Sequence, residues 1–503
     1  MRIAFVATPV PAVPLSMIQR EYYFYLFASR VMTVLGHLTE EDFRRFWMLE
    51  PVNLGLLQLI GYLEKQGIEC SYFASITPEG EEKNREKVLL DKILEQASDF
   101  DVIGFTSITA SYNTARQMAS AVHEKHPEIP LVLGGNHGWI MPDDILKNSV
   151  FDYIVRKEGE ETTLELLKVL EAGRSPEGIK GLSFNRDGKV IHNPDRLRMD
   201  RSNNPLPAYD HLEDNFTQEE MGGENIISIP ISRVTPTVGC GNNCIWCADY
   251  WKPDLSIQTK ERFTSEVSYL MEKRNSRYFY LGTHDFFRNI DLAMQISENM
   301  GSLAKTMRWE AQTRANESVT RSHLQRLVDS GCRCLHIGVE SADQQLLQKM
   351  GKNINIPGVI RMLEMAREVG IYTHTYWLVG VPYETRETAK RTINTMRQWL
   401  DNDLSSSSEL NILVGYPGTQ FYDTKEKFNV TAVDPDFTHF DGRNVPTFDT
   451  TALTRRDVEY LYHLGLESYN EAMSGKIGTR KAVMAKLGGK YPNFDPAFME
   501  AAF

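Results

Sequence analysis

The run Val238-Gly239-Cys240-Gly241-Asn242-Asn243-Cys244-Ile245-Trp246-Cys247-Ala248-Asp249-Tyr250-Trp251 decides how the chain is read. Its cysteines stand in the spacing C-x3-C-x2-C, bracketed by Gly and Asn, which favour loops. A structural zinc takes four ligands, usually as two C-x2-4-C pairs, and no further Cys or His lies within about twenty-five residues of this run. The triplet is one ligand short for zinc. A four-iron cluster held by three thiolates keeps one iron open, and an open iron binds a substrate as well as relaying electrons. Soft thiolates suit iron–sulfur ligation. The plainer alternative is three buried core cysteines or an unusual zinc site.

Downstream of the run, strands alternate with helical stretches. Strands are predicted at Tyr278–Leu281, Arg308–Thr313, Cys334–Val339, Tyr372–Val379 and Leu410–Val414, and Gly331 and Gly370 stand where αL caps close helices before a strand. With the strand leading into Cys240 this makes six β/α units, hence a partial parallel barrel with its site at the carboxyl ends of the strands. Polar residues recur at those ends: His284-Asp285, Gln312 with Arg314, Glu340-Ser341, Tyr376-Trp377 and Tyr416. Singly, each is more often a salt-bridge partner or core residue than a ligand. Their ordered recurrence behind the cysteine run is the specific signal.

Upstream, residues 1–171 also alternate. Ile3–Ala7, Cys70–Phe73, Asp101–Thr106, Pro130–Leu133 and Tyr153–Val155 read as strands, and Ala115, Met118, Ala119 and Val122 mark the core face of a helix. This is a doubly wound (Rossmann-like) α/β pattern with ligands expected beyond the strand ends. An aromatic-rich stretch at about 11–50 (Tyr22, Tyr23, Phe24, Tyr25, Phe27, Phe43, Phe46, Trp47) fits it poorly and reads as an inserted helical element of this domain. Residues 172–230 read as a connector with a hairpin turning at Asp187-Gly188. Residues 429–503 read as a small helical C-terminal cap.

The 503 residues carry a net charge of -12 without a basic stripe, which argues against nucleic-acid binding. No apolar stretch approaches the ~18 residues of a membrane span, the N-terminus lacks a signal-peptide run, and the cysteines form no disulfide framework. A cytoplasmic location is expected.

The cysteine spacing, with Trp246 directly before the last Cys, and the polar strand ends over about 233–425 resemble the radical S-adenosylmethionine (SAM) superfamily. That resemblance implies a 4Fe-4S cluster on Cys240, Cys244 and Cys247, whose open iron chelates SAM and cleaves it to a 5'-deoxyadenosyl radical. It also implies that Trp246 lies near the adenine and that Asp285, Gln312, Arg314 and Glu340 contact SAM, although His284 stands where many relatives carry a second Asp.

Thr106-Ser107, Gly134-Gly135-Asn136-His137 and Glu158-Gly159 resemble the cobalamin-binding domain that precedes the core in one radical SAM subclass, and Gly181–Asp210 resembles its connector. Neither G-x-G-x-x-G nor G-x4-G-K-[ST] occurs, which argues against a nucleotide in that domain. The D-x-H-x-x-G motif is absent too, so the resemblance implies base-off cobalamin with no protein His on cobalt, and His137 packing on the corrin.

The expected architecture is an N-terminal doubly wound cobalamin-binding domain (1–171), a connector (172–230), a partial (β/α)6 radical SAM barrel (231–428) and the cap. The resemblance implies methyl transfer from methylcobalamin to an unactivated carbon of a small molecule or natural-product intermediate, with flavodoxin or ferredoxin as electron donor. The alternatives are a B12-dependent radical SAM enzyme without net methylation, acting by cyclisation, oxidation or ring rearrangement, and a metal-binding module that has lost catalysis.

Overall fold

The computed structural model describes residues 1–10, 15–33, 53–74, 85–200, 204–214, 231–248, 256–273, 276–303, 307–443, 445–479 and 481–483. They divide into two compact units. The first holds Met1–Val13, Leu49–Ile226 and Pro435–Phe440; the second holds Pro14–Met48, Ile227–Asp434 and Asp441–Phe503.

The first unit is built on a sheet in the order β2-β1-β3-β4-β5-β6-β7. Its strands are β1 (Arg2–Ala7), β2 (Glu69–Phe73), β3 (Val102–Thr106), β4 (Leu131–Gly134), β5 (Tyr153–Val155), β6 (Leu182–Arg186) and β7 (Lys189–His192). From β2 to β5 every pairing is parallel. Ile3, Ala4, Phe5 and Val6 are all buried, as a parallel strand covered on both faces requires. Helix Tyr112–Lys125 lays Tyr112, Ala115, Met118, Ala119 and Val122 into this core, the face its spacing predicts. Each large apolar side chain so buried contributes roughly 1.5–3 kcal/mol.

The predicted hairpin forms, with Asp187 and Gly188 both at positive φ (51° and 78°). It is more than a connector, because β6 pairs antiparallel with β5 and extends the sheet. Arg156 fixes it in place: its guanidinium donates to Ser183 Oγ and Asn193 O and pairs with Asp195 at 2.9 Å.

The second unit carries a parallel sheet in the order β15-β14-β13-β12-β11-β8. Here β8 is Ile231–Val234, β11 Tyr278–Leu281, β12 Arg308–Thr313, β13 Cys332–Glu340, β14 Tyr372–Val379 and β15 Ser407–Ile412. The two outer strands, β8 and β15, do not pair with each other, so the barrel is open, as the six β/α units predict. Side chains alternate across the strands. Outward-facing Trp377 packs on Trp399 of helix Arg386–Asp401, ring centroids 5.0 Å apart, and is core rather than pocket lining.

Helix Met17–Thr33 belongs to this unit, whereas the sequence reading counted 11–50 with the first domain. Its Tyr22 rings edge-on to Tyr469 at 4.9 Å, and its hydroxyl accepts the Leu410 N–H of edge strand β15 at 2.9 Å. The aromatic pattern foretold burial but carried no signal for which sheet it covers. An open sheet edge needs such a cover. Phe43, Phe46 and Trp47 lie outside the described residues. Among the described residues no helix is long and apolar enough to cross a membrane.

The turn after β14 supplies a pH prediction. Buried Glu384 accepts the N–H groups of Gly380 (2.6 Å) and Val381 (3.3 Å). Burial pushes its pKa up from 4.5 to about 8, against the pull of those two N–H groups. A carboxyl raised on folding adds stability at low pH that fades as pH rises from 4.5 towards about 8. Glu384→Gln keeps an acceptor and removes the titration. Between pH 5 and 8 the melting temperature of wild type is expected to fall by a few degrees more than that of the variant, read by thermal denaturation. Parallel curves would contradict this.

Candidate functional site

The cysteine loop leaves the short strand β9 (Thr237–Val238), which pairs antiparallel with β10 (Ser256–Ile257). Cys240 is buried, Cys244 and Cys247 are half-buried, and none forms a disulfide. A tight turn from Cys247 N–H to Cys244 O (3.3 Å) draws the last two together. The loop is held from two sides: Ile245 N–H donates to Met350 O at 3.1 Å, and Ile245 O accepts Phe421 N–H at 3.0 Å. Ile245 sits in an apolar cluster with Leu346, Met350 and Phe421, and Trp246 packs against that cluster.

Gly351 explains how closely the supporting loop approaches. It has φ of 70°, and a Cβ there would lie 2.7 Å from Asn243 O. Only glycine fits. Its carbonyl lies 3.7 Å from Cys244 Sγ. The next residue, Lys352, pairs with Glu340 at 2.6 Å, both side chains largely buried. Glu340 itself sits at a register shift at the end of β13 with φ of 70°, a conformation a non-glycine residue holds only at a cost of about 1–3 kcal/mol.

On the other flank, Asn242 Nδ2 donates to Cys240 Sγ (3.3 Å) and stands 3.5 Å from Asp285 Oδ2. Asp285 Oδ1 accepts the Thr313 hydroxyl (3.1 Å) and Arg314 N–H (3.2 Å). Asp285 thus ties the cysteine loop to the end of β12. Gln312 Oε1 accepts the Tyr280 hydroxyl at 3.1 Å. Arg314 is only 8% exposed, and its Nη1 is buried with no hydrogen-bond partner among the described residues. A buried guanidinium nitrogen left unpaired is costly, and a carboxylate is its best match.

The three-cysteine loop, tied to Asp285 through Asn242, and Arg314, whose backbone N–H Asp285 accepts, therefore lie at the carboxyl ends of parallel strands. This donor set fits an iron–sulfur cluster beside a zwitterionic ligand. The cysteines, Asp285 and Arg314 are residues that the sequence singles out. Asn242, Gly351 and Lys352 were missed; a Gly-Lys pair following a helix was their one sequence sign.

In the first unit, strand order places β2 on one side of β1 and β3 on the other, so the β1/β3 carboxyl ends form a topological switch point. Thr8 Oγ1 and Ser107 Oγ, which follow those two strands, are both buried without a hydrogen-bond partner among the described residues. Thr106 is in register with Gly134, and Ser107 N–H donates to Gly134 O at 3.1 Å. Gly135 has φ of 87°, and a Cβ there would meet Ser107 O at 2.5 Å and Thr106 Oγ1 at 2.8 Å. Asn136 is exposed. These residues make a backbone-lined cradle with two orphan hydroxyls, which fits a bulky polar ligand; Thr8 was missed in sequence.

Two expected contacts face elsewhere. The His137 ring is fully buried, 4.3 Å from the Tyr112 ring and 5.0 Å from Phe437, with Nδ1 3.4 Å from Thr109 Oγ1. Burial lowers its pKa to about 4, so the imidazole is neutral. Glu158 accepts Met199 N–H at 2.7 Å and pairs with Arg198 at 3.5 Å, so its carboxylate clamps the connector. Gly159 caps helix Glu160–Glu171, and a Cβ there would meet Val155, Leu59 and Thr163 at 3.4–3.7 Å. Tyr250 and Trp251 lie outside the described residues.

Two family models match the chain, the B12 binding domain over residues 49–167 and the radical SAM superfamily over 234–396. The chain is 28% identical to an uncharacterized methyltransferase from Pyrococcus horikoshii, the match covering 65% of this chain and 69% of that protein. It is 26% identical to an anaerobic magnesium-protoporphyrin IX monomethyl ester cyclase from Rubrivivax gelatinosus, covering 68% of this chain and 61% of the cyclase. The solved structure of OxsB, a cobalamin-dependent S-adenosylmethionine radical enzyme with aqua-cobalamin and S-adenosylmethionine bound, superposes with a TM-score of 0.66 at 15% identity, covering 99% of this chain and 69% of that one. With the three-thiol loop on an open parallel barrel and the backbone cradle at the β1/β3 switch point, these matches establish that the chain belongs to the cobalamin-dependent radical SAM enzymes, a B12-binding domain joined to a radical SAM domain.

Proposed function

We propose that the protein transfers a methyl group to an unactivated carbon of a small molecule or natural-product intermediate, using cobalamin, a 4Fe-4S cluster and SAM. The observation that carries this reading is the cysteine loop braced through Asn242 by Asp285, which also accepts the backbone N–H of Arg314, a residue whose Nη1 is buried with no hydrogen-bond partner among the described residues. The similarity to a methyltransferase supports the reaction type. When bound, the cluster and SAM supply the hydrogen-abstracting radical, and cobalamin supplies the methyl group.

The chain's own residues bind, orient and shield. Cys240, Cys244 and Cys247 would hold the cluster, and Trp246 would contact the adenine. Arg314 receives the SAM carboxylate, Gln312 and Glu340 contact its polar groups, and Asp285 fixes the loop carrying the thiols. Thr8, Thr106, Ser107 and the Gly134–Asn136 backbone seat the cobalamin, and neutral His137 supports that cradle from within. Holding reactants at near-attack distances is the protein's main catalytic contribution. The electron comes from a donor such as flavodoxin or ferredoxin.

Arg314→Gln removes the cation and leaves a polar side chain of similar reach. SAM affinity of the reconstituted protein, measured by equilibrium binding, is expected to fall on the order of 10–150-fold, the worth of a charged hydrogen bond. Unchanged affinity would remove Arg314 from the site.

A second reading, cyclisation or oxidation without net methylation, is favoured by the similarity to the cyclase. Mass spectrometry of the product separates the two. A gain of CH2 with S-adenosylhomocysteine and 5'-deoxyadenosine both formed supports methyl transfer; 5'-deoxyadenosine without either supports the second reading.

A further inference from the structure

The inward faces of the barrel strands carry an ionisable cluster that the cysteine loop does not use. Glu310, Cys334 and His336 are 0%, 4% and 3% exposed, and one donor atom from each lies within 4.8 Å of the others. Glu310 stands two residues before Gln312 on β12, so the cluster lies one layer deeper in the lumen than the strand-end site. Glu310 Oε2 is 3.2 Å from His336 Nε2, close to the roughly 3.3 Å edge expected of tetrahedral zinc with bonds near 2.0–2.1 Å. Despite that distance, His336 Nε2 has no aligned hydrogen bond among the described residues. The nitrogen is buried and directed at the cluster without being satisfied there.

The surroundings match those of a metal ligand set. His336 Nδ1 meets the Tyr376 hydroxyl at 3.1 Å, the outer-shell contact that fixes a ligating imidazole. Tyr278 OH donates to Glu310 Oε2 at 3.3 Å. A small cavity, lined also by His374, Tyr376 and Glu409, adjoins all three residues and leaves room for a water as fourth ligand. Charge decides the class of ion. A thiolate and a carboxylate with a neutral imidazole neutralise a dication, so a bound divalent ion removes the cost of burying the two anions.

We propose that Glu310, Cys334 and His336 form a mononuclear site for a borderline-soft divalent cation of the zinc class. Binding releases the Cys334 thiol proton to solvent and ties β12 to β13 beneath the strand-end site.

The test uses the full chain with Cys240, Cys244 and Cys247 all replaced by alanine, so that zinc cannot occupy the cluster thiols. After incubation with zinc and desalting, mass-spectrometric elemental analysis is expected to find about one zinc per chain. Adding Cys334→Ser or His336→Ala is expected to cut that at least about tenfold. Cobalt(II) in place of zinc should give a thiolate charge-transfer band that Cys334→Ser abolishes. Near-isosteric Glu310→Gln guards against misfolding: zinc should raise the melting temperature of the parent and leave that of Glu310→Gln unmoved. No retained zinc, or zinc undiminished by Cys334→Ser and His336→Ala, overturns the site.

Discussion

Replacing Cys240, Cys244 or Cys247 singly with alanine is expected to eliminate 5'-deoxyadenosine formation, by three orders of magnitude or more, and to strip most iron from the chain. The three thiols lie within a single loop and have no spare among them. Their supports hold backbone and Asn242, and none of these offers a substitute thiolate. Cys70 and Cys332 are of another kind. Burial pushes the Cys70 thiol up to about 12 and raises Cys332 further, which disfavours the thiolate a metal needs. Cys332→Ala is therefore the matched control: a stability loss from its fully buried site, with iron per folded chain and deoxyadenosine formation retained. Iron analysis and chromatography of the SAM products read both outcomes. Equal loss in the control would mean that the iron depends on fold integrity and not on the loop.

Gly135→Val is expected to abolish cobalamin retention while leaving iron unchanged. The backbone at φ of 87° is strained for any side chain, and the new Cβ would stand 2.5 Å from Ser107 O, a contact that forces apart the segments that follow β3 and β4. Gly173→Ala separates strain from collision, since Gly173 has φ of 61° with nothing within 4 Å of its would-be Cβ. That variant should cost about 1 kcal/mol and keep cobalamin. Cobalamin absorbance after desalting is the readout, with iron content reporting on the second unit. Retention by Gly135→Val would move the cobalamin seat away from the Thr106–Asn136 cradle.

The sequence was most informative where chemistry and local geometry coincide. A C-x3-C-x2-C spacing, buried strand runs and an Asp-Gly turn each carry their meaning in adjacent residues, and all appear in the structure. Contacts made across the fold were hidden. Asn242 reaches Asp285, and Gly351 backs Asn243, over more than a helix and a strand each. Helix Met17–Thr33 shows the same limit, because periodicity reports that a face is buried but not against which sheet. The resemblance implies Glu158 and His137 as cobalamin contacts, and the structure engages one with the connector and encloses the other between Tyr112 and Phe437. The pairing of Glu310 with His336 depends on β12–β13 register, which no single segment reveals.

Whether one chain seats a three-thiol cluster and a cobalamin together is read by elemental analysis of wild-type protein, reconstituted anaerobically with iron, sulfide and hydroxocobalamin and then desalted. Roughly four iron and roughly one cobalt per chain are expected in the same sample. Iron without cobalt, or cobalt without iron, would contradict it.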